Sequence, residues 1–294
     1  MDIAVGQVFT GLSIGSILLL AALGLSLTFG QMGVINMAHG EFIMAGSYTA
    51  YVVQQVISDA TGSLIVSLIL GFVVGGLMGV LLEVTLISRM YHRPLDTLLV
   101  TFGVGLILQQ AARDIFGAPA VNVTTASWLS GGIDIFGAVV PKTRVFILIL
   151  AIAAVVTLST VLKQSSMGRR IRAVVQNRDL AETSGISSRR TDITTFFLGS
   201  GLAGIAGVAL TLIGSTSPTI GASYLIDAFL VVVVGGLGQM KGAVIAAFTL
   251  GILNSFIEYS TTASVAKVIV FVIIVAFLQL RPQGLFATKT RSLV

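Results

Sequence analysis

The sequence predicts an all-α, polytopic transmembrane helix bundle of about eight or nine spans, some of them broken or re-entrant. Mean hydropathy is +1.01. Hydrophobic residues make up 55% of the chain and charged residues only 10%, where a soluble domain carries about 25% charged residues. The apolar runs are continuous and about twenty residues long, which is the length that crosses a bilayer as helix. An outer-membrane barrel would instead alternate over segments of about ten residues. The 294 residues read as one transmembrane domain, 1–294, with a cytoplasmic loop at about 163–190. There is no cysteine, so disulfides and thiolate metal sites are excluded. The net charge of +5 bears on topology and does not imply nucleic acid. Met1-Asp2-Ile3-Ala4-Val5 lacks the basic flank of a secretory signal, and the run that follows is too long for one, so it is expected to be a retained span.

The first span covers residues 5–29, and Gly11 and Gly15 give it a GxxxG surface for a closely packed neighbour. Residues 30–41 then interrupt the apolar sequence. They place Asn36, His39 and Glu41 within six positions, among Gly30, Gly33 and Gly40. Ionisable groups at membrane depth are costly and face a protein-lined or water-filled route. Irregular backbone is tolerated there only where it lines such a cavity or is buried in protein. One reading makes the segment the lining of a solute route; the other makes it a cytoplasmic turn, with His39 and Glu41 among the headgroups. The second span, 41–57, sets Glu41, Met44, Tyr48 and Tyr51 near one helical face. The third, 64–87, carries Gly71, Gly75 and Gly79 at intervals of four, a packing stripe for another helix. Residues 88–94 form a basic loop with Arg89, His92 and Arg93, and 95–116 is the fourth span. Residues 117–144 are the longest irregular stretch and are expected to hold a surface helix or a hairpin. Trp128 there suits a membrane interface.

The fifth span is 145–162. Residues 163–190 are the most polar part of the chain, and four more apolar runs follow at 192–214, 224–238, 243–258 and 266–280. Arg and Lys concentrate in the 88–94 loop, in 163–190 and in the tail with Arg281, Lys289 and Arg291; the opposite side has Lys142, Arg144 and Lys267. The positive-inside rule makes the basic side cytoplasmic, with the N-terminus outside and the C-terminus inside.

Residues 177–186 read as a very short capped helix. Asp179 is placed as N-cap with Glu182 completing a capping box, and Gly185 takes the left-handed C′ position. Leu180 and Ile186 are expected to supply its apolar contact, and Arg178 flanks it. A helix this short persists only when packed against something. That leaves a lipid-headgroup anchor or a plug inserted into a cytoplasmic partner. A second glycine-rich break follows at residues 231–242. It lacks the Gly-Lys-Ser/Thr of a phosphate loop, because Met240 and Gly242 stand at the required positions. An early and a late interrupted segment together are what a transporter with discontinuous helices shows. Asp227 precedes the later break and Glu83 lies in the third span; each is either a route residue or a buried, partnered carboxyl. Enzyme readings fail on residue supply. His39 and His92 are the only histidines, HExxH is absent, and Gly199-Ser200-Gly201 has no evident base.

Four stretches, Asn36-Met-Ala-His-Gly-Glu41, Met167-Gly-Arg-Arg-Ile-Arg with Gly185-Ile186, Val234-Gly-Gly-Leu-Gly-Gln-Met-Lys-Gly242 and Arg281-Pro-Gln-Gly-Leu-Phe286, are spread in order along nearly the whole chain. They resemble the LivH-type permease subunits of ABC importers for branched-chain amino acids. The wording of residues 31–41 resembles the urea-importer branch more closely. The resemblance implies a heterodimer of two homologous permeases, two cytoplasmic ABC ATPase subunits and an extracytoplasmic solute-binding protein, in a bacterial plasma (inner) membrane. It implies that residues 179–186 are the coupling helix, although of the family's longer signature only Ala181 matches, and Glu182 and Thr183 do not. It implies no cofactor on this chain, with ATP and Mg on the ATPases. The expected route residues are Asn36, His39, Gly40, Glu41, Tyr48 and Asp227; the expected coupling residues are Arg178, Asp179, Leu180, Glu182, Gly185 and Ile186. Urea is the first expected solute, through amide and carboxylate hydrogen bonds. The alternatives are a branched-chain or other amino acid, which needs both charge signs and an apolar pocket, and a stand-alone channel.

Overall fold

A computed structural model describes residues 2–91, 93–135 and 138–286. His92, Lys289 and Arg291 of the basic segments lie outside the described residues. The helices are α1 (Asp2–Met32), α2 (His39–Val56), α3 (Ala60–Thr85), α4 (Pro94–Phe116), α5 (Lys142–Gln164), α6 (Ser166–Gln176), α7 (Arg178–Thr183), α8 (Ser188–Leu210), α9 (Ile220–Gly235), α10 (Met240–Ser260) and α11 (Ala263–Leu280). All nine apolar runs are helical. Seven helices, α1, α3, α4, α5, α8, α10 and α11, are long and apolar enough to cross a membrane. The remaining two runs become α2 and the shorter α9, each beginning or ending at one of the glycine-rich interruptions. The 117–144 stretch contains a 3-10 turn at Ser127–Leu129 and an antiparallel hairpin, β1 (Gly132–Ile135) with β2 (Ala138–Pro141). Trp128 sits edge-on to Phe146 at 5.5 Å.

Local chemistry sets the helix starts. The Asp59 side chain accepts from the Gly62 backbone N–H at 2.6 Å and opens α3. Pro94 occupies the first turn of α4, where its missing N–H costs nothing. Ser165, Ser187 and Thr262 cap α6, α8 and α11.

The glycine stripes become backbone contacts, as their spacing predicts. A Cβ on Gly75 of α3 would stand 2.5 Å from the Ser200 carbonyl oxygen of α8, and one on Gly11 of α1 would stand 2.5 Å from the Ile252 Cα of α10. α1 and α8 form the buried centre, while α4, α5 and α11 turn apolar side chains such as Leu99, Ile149 and Val272 outward. The pattern of helix pairs is kept when α1, α2 and α3 are exchanged for α8, α9 and α10, although α2 is packed more extensively than α9. α1 packs on α10 as α8 packs on α3, α2 packs on α8 as α9 packs on α1, and α1–α8 and α2–α9 map onto themselves. An internal repeat with a broken helix in each half places a transporter's solute site near the bilayer midplane.

Gly204 tests this frame. A Cβ there would meet the Gly71 carbonyl, and one on Gly46 would meet the Gly204 carbonyl, so backbone closes on it from α3 and α2. Gly204→Val is expected to lower the melting temperature of the detergent-solubilised protein, near the upper end of the ~1–3 kcal/mol that overpacking costs. Gly214→Val, with nothing within 4 Å of its Cβ position, is expected to leave it unchanged.

Candidate functional site

The 33–38 segment leaves α1 at Gly33, whose φ of +66° turns the chain back into the bundle. The Asn36 side-chain oxygen accepts from the Ala38 N–H at 3.0 Å, and the Met37 N–H donates to Thr101 Oγ1 of α4 at 3.0 Å. Irregular backbone is thereby satisfied inside protein. α2 then begins at His39, whose Nε2–H donates to the Ala21 carbonyl of α1 at 3.1 Å. Since Ala21 lies well inside α1, α2 starts beside the interior of α1 rather than at its end. Neither Ala38 before α2 nor Thr219 before α9 caps its helix with a side chain. The two short helices touch at their first turns, where a Cβ on Gly40 would stand 2.6 Å from the Gly221 carbonyl oxygen. Two helix N-termini without a side-chain cap, each with partial positive charge, therefore meet inside the bundle, and the His39, Glu41 and Ile220 N–H groups there already donate to the Asn36, Ala38 and Ser217 carbonyls.

The predicted polar cluster divides between two faces. His39 and Glu41 are two positions apart, about 200° around a helix. His39 is fully buried against α1, in space that Gly24 leaves open, and packs edge-on to Phe42. It pins α2 to the central helix. Gly40 is the α2–α9 crossing point. Glu41 turns toward α4, where Oε1 accepts from Gln109 Nε2 at 2.8 Å and Oε2 has no partner. Along the same seam the Tyr48 ring stacks on Phe116 at 4.2 Å, and its hydroxyl is also unpartnered. The Asn36 amide nitrogen is a third buried group without a partner. Asn36 and Met37 line a cavity of about 210 Å³, closed by Leu25 and Phe29 of α1, Ile35, Leu98 of α4, and Leu225, Ile226 and Phe229 of α9. Asp227 lies apart from this group. It is two positions beyond Leu225, which faces Gly40, and it pairs with Lys267 of α11 at 3.4 Å. Gln109 and Thr101 were the residues missed; their signal was a polar side chain inside an apolar run.

The short polar helix forms, with its capping rearranged. The N-cap is Asn177 rather than Asp179, because the Asn177 side-chain oxygen accepts from the Leu180 N–H at 2.9 Å, and the helix starts two residues earlier. No capping box forms. Glu182 instead accepts from the Ser188 hydroxyl and lies 3.9 Å from Arg178 Nε. The C-terminus matches expectation: Gly185 has φ of +81°, its N–H donates to the Glu182 carbonyl at 2.9 Å, and the Ile186 N–H donates to the Ala181 carbonyl at 3.0 Å. The apolar anchor is Ala181, which is buried, while Leu180 is 64% exposed. Ile186 and Gly185 line a surface groove of about 510 Å³ with Met167, Arg170, Arg190 and Thr194.

Arg178 reaches back from this helix. Its guanidinium donates to Asp192 of α8 at 2.6 Å and lies 4.6 Å from the centre of the Tyr91 ring. The Tyr91 hydroxyl donates to Glu83 of α3 at 2.6 Å. Burial, with Glu83 beside it, holds the Tyr91 phenol far above its ordinary range, so it stays a donor. Burial opposes the Arg178 charge, but the Asp192 carboxylate more than offsets it and the guanidinium pKa is raised.

A family model described as "Branched-chain amino acid transport system / permease component" matches residues 7–278. The chain belongs to this permease family. It is a multi-pass membrane permease component and is not itself catalytic. The permease is similar to the high-affinity branched-chain amino acid transport system permease protein LivH of Escherichia coli K12, with 30% identity over 295 residues covering 95% of this chain and 94% of that one. It is similar to BraD of Pseudomonas aeruginosa, a permease protein of the same transport-system description, at 26% identity over 95% of this chain and 94% of the relative. The probable LivH permease of Methanocaldococcus jannaschii is 29% identical over 95% of this chain and 91% of its own length. No solved structure matches.

Proposed function

We propose that this permease moves an aliphatic, zwitterionic amino acid through the seam between α2, α4 and α9, with ATP hydrolysed by separate cytoplasmic subunits. The observation that carries this reading is that the 36–41 segment carries groups in three complementary environments, with Asn36 and Met37 at an apolar cavity, Gly40 at the α2–α9 crossing and Glu41 against α4. Glu41 offers an unpaired carboxylate oxygen to an ammonium group. The N-termini of α2 and α9, which lack side-chain caps, offer positive potential to a carboxylate. The cavity beside Asn36 offers an apolar wall to a branched side chain. The names of the relatives support the same solute class. Urea is the second reading, supported by the resemblance of residues 31–41 and by the Glu41–Gln109 carboxylate–amide pair, which suits a neutral donor–acceptor solute.

The remaining parts follow the same logic. The basic loop between α3 and α4 meets α7 through the Tyr91–Arg178 contact, so the Arg-rich segments share one end of the bundle. The positive-inside rule assigns that end to the cytoplasm, with the N-terminus outside and the C-terminus inside. α7, with Leu180 exposed beside the basic groove, is where a pair of ABC ATPases would dock. A second, homologous permease and an extracytoplasmic binding protein would complete an importer in the bacterial plasma membrane.

Uptake competition in vesicles carrying the whole importer separates the readings. ATP-driven leucine uptake is expected, inhibited by unlabelled isoleucine or valine and unaffected by a large excess of urea. ATP-driven urea uptake that leucine does not inhibit would install the second reading.

A further inference from the structure

We infer that Glu83, Tyr91, Arg178 and Asp192 form a charged joint that transmits movement of α7 into α3 and α8. The inference rests on the reading of α7 as the docking helix and adds Glu83 and Asp192 to it, with a role for the Tyr91–Arg178 contact. α7 is attached to the bundle at few points. Ala181 is buried, Leu180 is exposed, Glu182 accepts from Ser188 at the start of α8, and Arg178 reaches further in, to Asp192. Through it α7 holds Asp192 on α8 at 2.6 Å, and the Tyr91 ring under the guanidinium carries the connection to Glu83 on α3. Both carboxylates keep one fully buried oxygen without a partner, Glu83 Oε2 and Asp192 Oδ1. The guanidinium thus has acceptors for a second position, and a discrete alternative arrangement is what energetic coupling requires.

Beyond the joint the connection is rigid. α3 and α8 meet backbone to backbone, with a Cβ on Gly75 only 3.2 Å from the Gly204 Cα. α8 in turn meets α2, where a Cβ on Gly207 would stand 2.8 Å from the Ser47 nitrogen. Displacement of α7 therefore reaches the helix that carries Glu41 without crossing a soft contact.

These are positioning residues, and the test is the ratio of ATP hydrolysed to solute imported. Importer complexes would be reconstituted with wild-type permease, Tyr91→Phe and Glu83→Gln, with Leu180→Asp as the docking control. Tyr91→Phe removes one hydroxyl and keeps the ring, so it isolates the joint from folding. Both joint variants are expected to bind the ATPases normally and to raise the ratio on the order of 2- to 30-fold; Tyr91→Phe with Glu83→Gln should add little to either alone, because both act on one link. A wild-type ratio in Tyr91→Phe complexes that retain their ATPases, while Leu180→Asp releases them, would overturn the joint and leave the docking reading standing. ATPases retained and stimulated normally by Leu180→Asp would overturn the docking reading and the joint with it.

Discussion

Glu41→Gln is expected to reduce solute uptake by roughly 10- to 100-fold, the equivalent of the ~1.5–3 kcal/mol carried by a hydrogen bond to a charged group. Assembly should be unaffected. The side chain is 2% exposed, with one oxygen accepting from Gln109 and the other unpaired. Glutamine has the same volume and keeps an oxygen for the Gln109 amide. It also removes an ionisable group that has no ion-pair partner from a buried position, where holding a charge is costly. The loss therefore appears in transport and not in yield, because only an ammonium-bearing solute loses its counter-charge. Uptake assays on detergent-extracted complexes matched for subunit content give the comparison, and wild-type uptake would remove Glu41 from the route. If urea were the solute, the loss should be smaller, since glutamine still offers urea an acceptor.

Gly185→Pro is expected to abolish coupled uptake by dismantling the end of α7. Gly185 has φ of +81°, and its N–H donates to the Glu182 carbonyl at 2.9 Å. Proline has no N–H and fixes φ near −65°, so both the turn and that hydrogen bond are lost. α7 has six residues, too few to survive in water without its caps. Gly185→Asn is the control, because asparagine tolerates the left-handed region. The ATPase content of purified complexes and their uptake should fall together in Gly185→Pro and remain near wild type in Gly185→Asn. Equal behaviour of the two variants would show that α7 is not the docking element.

What could be read from sequence was whatever depends on run length, residue type and local spacing. The nine apolar runs became helices because backbone groups in hydrocarbon leave few alternatives, and Gly71, Gly75 and Gly79 became a helix contact because small residues every fourth position make one. Gly185 terminated α7 because glycine is the residue that takes a left-handed C′ position without strain. Facing was not legible. Nothing local says that His39 turns to α1 and Glu41 to α4, since that depends on which helices surround α2. Asp227 gave no hint that Lys267, forty residues later, would answer it. Asn177 and Asp179 are both good N-caps, and the choice between them was a local competition that composition does not resolve. The Glu83–Tyr91–Arg178–Asp192 joint draws on four separate elements, and its one sequence signal was Glu83, an acidic residue inside an apolar run.

The central claim is that solute passes the α2–α4 seam under the control of ATPases this chain does not contain. The chain has no cysteine, so a single introduced thiol is the permease's only one, and labelling read on the permease band reports its surroundings. Met44→Cys places one between Glu41 and Tyr48 at a position 3% exposed, and Ile149→Cys places another on the outward face of α5 at 59%. In the reconstituted importer, a small water-soluble thiol reagent is predicted to modify Met44→Cys while ATP is being hydrolysed, to do so slowly without nucleotide, and to be slowed by saturating leucine. Ile149→Cys should stay unreactive throughout. If Met44→Cys were as inert as Ile149→Cys in every nucleotide state, the seam would be closed packing and the route would lie elsewhere.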